Sequence, residues 1–378
     1  MCKVYLCCYV AVLFVCGVKS FYFSFSFFVL GERVLSYRLT KVVPVHGCSC
    51  KLPQYQLGGL LERAGLTGGY GETVLAGAWE NSSVVKIAGD LGVLSTLDFF
   101  TPMVDEPEVQ GRIAASNVTS DIYTLGVTNI VSLLSIMAYP EDLPDELAVG
   151  MLKGLNDFCR EMGIPLTGGH TTRCPWPIIG GAAIGVNSVE GIVYTRGAKL
   201  GDLLFLTKPL GIAPAMAAYR LRKEETGGEG KELLADVSEE LVENAVNTAI
   251  DGMISSNKPA AQVMQKIPVH AATDITGFGL KGHAENMARL SNVDIIINNL
   301  YVIPGTPVLS EQLGYPLLTG EAKETAGGIL MAVSKENADD LQSEFDKHKV
   351  RYCQVGYVTE GKGDVHVSKN VEITEKSA

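Results

Sequence analysis

The chain has 378 residues, 47% hydrophobic and 19% charged, enough to bury a sizeable core and to form two domains of roughly 100 to 200 residues each. Its formal charge of -11 excludes broad binding to a phosphate backbone, which needs clustered Lys and Arg, so no nucleic-acid partner is expected and a small anionic substrate must meet local cations or a metal ion. The 9 cysteines do not read as a disulfide scaffold, because Cys2, Cys7, Cys8 and Cys16 crowd the amino terminus while Cys48, Cys50, Cys159, Cys174 and Cys353 are sparse, as in a reduced cytoplasmic protein.

Residues 4–18 and 21–30 are apolar runs that resemble a signal peptide or short anchor, so residues 1–38 are placed outside the fold. A membrane is a partner only if that leader is real. Against secretion, the sequons at Asn81 and Asn117 fall among the candidate site residues, where a glycan would block chemistry.

Leu57, Leu60 and Leu61 predict a helix over 53–63 that stops at Gly65. Runs at 83–87 and 92–99 around Gly89-Asp90 predict a hairpin ending near Asp98. Over 107–126, Val109, Ile113, Ile122 and Leu125 mark one helical face and Asn117 and Asp121 another. Strands are predicted at 130–138, 178–186 and 191–195, with a helix over 144–162 between the first two.

The pattern restarts near Gly197 with a strand at 202–207, Lys208-Pro-Leu-Gly and an Ala-rich helix, which divides the fold into 39–198 and 199–378. Residues 223–231 read as an exposed loop. Helices at 238–255 and 279–290 then alternate with strands at 293–298, 328–333 and 352–358. The alternation predicts an α+β protein in two unlike halves.

Three groups of residues have the makings of a site. In His46-Gly-Cys-Ser-Cys-Lys51, Cys48 and Cys50 lie beside a cation and ahead of a helix, a setting that favours thiolate. Asp98, Asp121 and Asp274 stand among apolar or small neighbours at the ends of elements, as caps or as ligands for a phosphate-bridging Mg²⁺. Glycine-rich segments at 167–171, 277–279 and 325–328 would let backbone N–H groups approach phosphate, with His170 a further donor. Gly277, Gly279 and Gly282 satisfy G-x-G-x-x-G, but no acid follows at the ribose position, and no Walker sequence is present.

Taken in order, these residues resemble the selenophosphate synthetases (selenide, water dikinases), part of the aminoimidazole ribonucleotide synthetase-like ATP-binding superfamily. The resemblance spans residues 39–360 and rests on Gly-Cys-Ser-Cys-Lys, Asp98-Phe-Phe-Thr-Pro-Met-Val-Asp-Glu-Pro, Gly111-Arg-Ile-Ala-Ala-Ser-Asn-Val-Thr-Ser-Asp, Thr167-Gly-Gly-His, Leu206-Thr-Lys-Pro-Leu-Gly, Ala272-Thr-Asp-Ile-Thr-Gly-Phe-Gly and Thr325-Ala-Gly-Gly. It implies synthesis of selenophosphate from ATP, selenide and water, with AMP and phosphate released, Mg²⁺ required and K⁺ stimulatory. It also implies a homodimer whose amino-terminal domains share a β-barrel, with a mobile amino-terminal segment over the ATP and selenium supplied free or by a delivering partner.

Residue by residue, the resemblance makes Cys48 and Lys51 catalytic and gives Asp98, Asp121 and Asp274 to the metal. Lys51, Asp98, Asp121, Gly169, His170 and Thr171 then contact the nucleotide. One departure stands out: the family's first metal-binding aspartate falls on Asn81, preceded by Glu80, and an amide brings no charge to the ion. A catalytically impaired paralogue acting as a dimeric regulatory or scaffold protein, and another enzyme of the superfamily, are the alternatives.

Overall fold

The structure is a computed structural model that describes residues 37–68, 71–223 and 232–376. Residues 1–36 of the expected leader at 1–38 and most of the loop at 223–231 lie outside them, while Arg38 pairs with Asp105 at 3.0 Å. Among the described residues no helix is long and apolar enough to cross a membrane.

The first six strands form one sheet: β1 (Val74–Ala76), β2 (Ser83–Ala88), β3 (Leu91–Phe100), β4 (Ile130–Tyr139), β5 (Leu166–Arg173) and β6 (Ile178–Ser188), in the order β1-β2-β3-β6-β4-β5. Only the β4–β5 pair is parallel. Leu94 and Phe100 of β3 are buried while Leu97 and Phe99 stay exposed, the period-two division of a sheet covered on one face.

The covering layer is α2 (Pro107–Thr124) against α3 (Asp145–Met162); α1 (Gln54–Arg63) precedes them and buries none of its own residues. The two helices approach so closely that a Cβ at Gly111 would collide with the Met151 carbonyl.

The second sheet has the order β12-β9-β11-β7-β10-β8, built from β7 (Leu203–Leu206), β8 (Ala271–Asp274), β9 (Asp294–Val302), β10 (Ile329–Val333), β11 (Cys353–Thr359) and β12 (Val365–Glu375). Both its faces are buried. Leu204, Leu206, Leu330 and Ala332 pack with Leu280 and Met287 of α7 (Gly279–Ser291), while Phe205, Ile329, Met331 and Val333 pack with Leu341 and Phe345 of α9 (Ala338–Lys347).

The other helices are α4 (Ile212–Lys223), α5 (Glu239–Ile254), α6 (Lys258–Met264) and α8 (Thr306–Leu313). Met216 of α4 and Val242 of α5 join the core of the first sheet beside Ile113, Tyr123 and Leu155, so the second half of the chain completes the first core.

Two sequence expectations change. Residues 191–195 form no strand; Val193 N donates to Leu125 O at 3.0 Å, and the segment runs extended without a ladder. The glycine-rich run at 167–171 is not a loop but the exposed edge strand β5, since Gly residues facing no core can still pair through their backbone.

Candidate active site

A 3₁₀ turn, Gly47–Cys50, carries the cysteine pair. Its register is fixed from both halves of the chain: Gly47 N donates to Thr101 O at 3.0 Å and Cys48 N to Thr325 Oγ1 at 3.0 Å. The Cys48 thiol has no exposed surface and donates to Asn117 Oδ1 at 3.3 Å. Asn117, also fully buried, donates through Nδ2 to Asp98 Oδ2 at 2.8 Å and accepts the Ala326 N–H at 2.9 Å. Asp98 pairs with Lys51 Nζ at 3.2 Å. A chain of polar contacts thus joins thiol, amide, carboxylate and ammonium.

Gly277 supports that turn, because a Cβ there would stand 2.6 Å from Cys48 O and 3.1 Å from Lys51 Cδ. The requirement is close approach rather than an unusual dihedral.

The acids converge from three elements. Asp98 comes from β3, Asp121 from α2 one turn beyond Asn117, and Asp274 from the end of β8. Asp121 accepts from Thr96 Oγ1; Asp274 accepts from Ser120 Oγ at 2.7 Å, and Ser120 Oγ accepts from Asn257 Nδ2 at 2.9 Å. With Lys51 and Asn81 they line a cleft of about 350 Å³, and Gln54 and Leu57 of α1 stand at its rim.

Burial, reinforced by Asp274 and Asp98, pushes Asp121 well above the ordinary carboxylate range. Burial raises Asp274 as well, against its Ser120 hydrogen bond and Lys51. For Lys51 burial acts downward, but Asp98, Cys48, Asp121 and Asp274 together outweigh it and hold the ammonium charged. Carboxylates that discourage one another's ionisation around one shared ammonium are a donor set suited to a hard, oxygen-seeking cation such as Mg²⁺.

Two expectations need correction here. The sequence puts a thiolate at Cys48, yet burial pushes the thiol up to about 12; Lys51 opposes this weakly because Asp98 already pairs with it and itself adds to the rise. Cys48 is a neutral hydrogen-bond donor. Glu80 also lines the cleft, but both its carboxylate oxygens are engaged, accepting from Arg196 Nη1 at 2.5 Å and from Thr195 N at 2.8 Å, so it does not stand in for the missing aspartate.

Asn81 does face the cleft, donating to Thr195 Oγ1 at 3.0 Å and accepting from Thr273 Oγ1 at 3.2 Å. Cys48, Lys51, Asn81, Asp98, Asp121 and Asp274 therefore come together. Gly169, His170 and Thr171 do not: they lie exposed on β5, three strands from β3.

Sequence reasoning missed Asn117 as a hub and gave Lys208 no role, although it lies in one of the motifs quoted for the resemblance. Lys208 is buried, its Nζ donating to Ser255 O at 2.7 Å and Ala326 O at 2.9 Å, and burial lowers the ammonium to about 7 against the pull of Asp274. The signals were present in Ala-Ala-Ser-Asn117 and Leu-Thr-Lys208-Pro, where a polar residue follows an apolar or small run.

The AIR synthase related protein N-terminal domain matches residues 79–187, and the corresponding C-terminal domain matches residues 199–369. Selenide, water dikinase of Methanocaldococcus jannaschii is 42% identical over 347 residues, covering 89% of this chain and 97% of its own length. Selenide, water dikinase 2 of Mus musculus is 36% identical over 350 residues, covering 83% and 77%.

Among solved structures, AaThiL complexed with AMPPCP and TMP superposes with a TM-score of 0.63 at 20% identity, over 86% of this chain and 96% of that one. A chain of the HypE-HypF complex gives 0.63 at 17% identity over 85% and 99%. These two share the α+β two-domain fold. With relatives of this identity along most of its length, and both halves of the domain pair in order, the chain belongs to the selenide, water dikinase family of AIR synthase related proteins.

Proposed function

We propose that the cleft between Lys51, Asp98, Asp121 and Asp274 is where this chain, a selenide, water dikinase, converts ATP, selenide and water to selenophosphate, AMP and phosphate for selenocysteine synthesis. The observation that carries the assignment is the unbroken set of contacts from Cys48 through Asn117 and Asp98 to Lys51, beside two further buried acids.

Asp98, Asp121 and Asp274, with the Asn81 amide oxygen, would hold Mg²⁺, which when bound offsets the charge of the ATP phosphates. Lys51 remains protonated and swings from Asp98 onto the transferring phosphoryl oxygens. Cys48 keeps its proton and orients selenide where water is excluded. Stimulation by K⁺ rests on the family resemblance alone.

Gly169, His170 and Thr171 do not line the same chain's cleft. A homodimer with a shared barrel gives them a role, through the nucleotide of the second copy. The exposed Leu97, Phe99 and Leu134 on the uncovered sheet face supply the apolar surface for it. We also place the domain division at 198/199, the location in the cytoplasm, and the selenium source in free selenide or a delivering partner.

The test is AMP release from ATP under anaerobic conditions, with and without selenide. Selenide-dependent AMP supports the reading, ADP formed with another substrate points to a different enzyme of the superfamily, and nucleotide binding without turnover to a regulatory or scaffold protein.

A further inference from the structure

Cys48 lines neither of the hollows that approach it. On one side lies the acidic cleft, whose wall includes Lys51 and Asp98. Sharing no lining residue with it is a separate cavity of about 220 Å³, lined by His46, Met103, Arg220, Tyr315, Lys323 and Thr325 among others. Thr325 holds the Cys48 backbone, and Met103 Sδ stands 3.9 Å from Thr325 Oγ1, so this cavity ends against the turn that carries the thiol. It shares His46, Arg220 and Tyr315 with a wider hollow of about 600 Å³ that opens past Arg38 and Lys41.

The lining is mostly apolar, and its charged groups are chiefly cations. Arg38 is matched by Asp105 at 3.0 Å, and Lys323 donates to Ser49 O at 2.9 Å. The carboxylate at the inner cavity, Glu321, is matched by Lys281 at 2.8 Å. Arg220, at the neck shared by both hollows, hydrogen-bonds to Tyr315 and has no carboxylate partner among the described residues. Burial and then Arg220 lower the His46 pKa, so this imidazole stays neutral and brings no second charge. A guanidinium in such a neck favours a small anion. The inner cavity is below the usual size of a nucleotide or drug-sized site, roughly 300 Å³ and upward.

We propose that this cavity is the selenide entrance: hydroselenide, the singly charged form of hydrogen selenide at neutral pH, enters past Arg220 and reaches the Cys48 turn by a path separate from the ATP cleft. The inference rests on the function proposed above and adds its route. Met103, a soft and polarisable thioether, suits a heavy chalcogenide better than a hydroxyl would.

Anaerobic steady-state kinetics of Arg220→Met test it. The selenide KM is expected to rise about tenfold, the loss of one charge-assisted contact, with the ATP KM within about twofold of wild type. Arg220→Lys, which keeps the charge, should recover most of that loss. An unchanged selenide KM in Arg220→Met, or one that rises in step with the ATP KM, overturns the proposal.

If Arg220→Met does not fold, as judged by thermal melting, Ala213→Phe serves instead. Ala213 lines the same cavity, and filling it should raise the selenide KM selectively; an unchanged value again overturns the proposal. Wild-type protein that makes no selenophosphate would instead refute the functional reading on which the route depends, so the two failures are distinct.

Discussion

Cys48 Sγ donates to Asn117 Oδ1 at 3.3 Å, and the same amide donates to Asp98 Oδ2 at 2.8 Å. One buried side chain therefore sets both the thiol and the carboxylate that faces Lys51. Burial first, and then Asp98, keep the thiol neutral in a site full of charge, and the Asn117 amide oxygen gives the retained proton an acceptor.

Alkylation follows from that state. With the thiol pushed up to about 12, only about one Cys48 in ten thousand is thiolate at pH 8. Cys50 is exposed, two residues away. Iodoacetamide at pH 8, followed by peptide mass spectrometry, should label Cys50 at least about tenfold faster than Cys48. Equal rates would mean that the turn opens readily in solution.

Asn117→Ala should cost more than a surface substitution. It leaves the Ala326 N–H and the Cys48 thiol without their acceptor and removes a donor to Asp98, all in buried surroundings. A loss of about 2 to 4 kcal/mol in chemical denaturation is expected. Asn117→Asp keeps the shape but sets a second carboxylate against Asp98, so it should not restore stability near pH 7. A wild-type midpoint for Asn117→Ala would show that the hub is dispensable.

Much of the site could be read in the sequence, and the reasons for the remainder are physical. Cys48, Lys51, Asp98, Asp121 and Asp274 were singled out not by any one local setting but by their order along the chain, which is that of the family they resemble, and the structure brings them close together. Strand β5 was not legible, because Thr-Gly-Gly-His-Thr-Thr has no apolar alternation and its pairing uses backbone alone. Strand β8 shows no period, since Ala-Ala-Thr-Asp is four residues long and buried throughout, and only the glycine-rich turn behind it marks a probable strand. Glu80 looked free to replace a missing aspartate until Arg196, 116 residues away, was found on its carboxylate. Long-range partners of that kind leave no trace in local pattern.

Glu324 should impose a pH dependence on stability. Its carboxylate reaches Gly211 N at 2.8 Å and Ile212 N at 2.9 Å, but burial dominates these bonds and raises its pKa from 4.5 to about 8. A raised folded-state pKa contributes stability that is complete below 4.5 and lost as pH climbs through about 8. Relative to Glu324→Gln, which cannot ionise, the wild type should therefore lose melting temperature between pH 5 and pH 8.5. A gap between the two proteins that does not move with pH, or moves the other way, would show that the two N–H donors outweigh burial.

Lys51→Met removes the ammonium that the acids share. Lost stabilisation of a transferring phosphoryl group is worth about 10² to 10³ in rate, so selenide-dependent AMP release should fall by at least that much. The nucleotide dissociation constant, measured by calorimetry, should rise far less if the contact is made mainly in the transition state. Equal losses in both would make Lys51 a binding residue instead.

Asn81 is the position where metal affinity is most open to change. Its amide is held by Thr195 and Thr273 beside the acidic cleft, while Glu80 is engaged by Arg196, so the site lacks one negative charge relative to the family pattern. Asn81→Asp is close to isosteric and has opposite consequences with and without the ion. In metal-free buffer it adds a carboxylate beside Asp121 and Asp274, which burial already raises, and the melting temperature should fall by a few degrees, corresponding to about 1 kcal/mol. With Mg²⁺ present the added charge should lower the half-saturating concentration for AMP release by about tenfold and give a larger Mg²⁺-induced rise in melting temperature than in wild type. A variant destabilised without metal yet no more responsive to Mg²⁺ would place the ion away from Asn81 and leave Asp98, Asp121 and Asp274 to hold it alone.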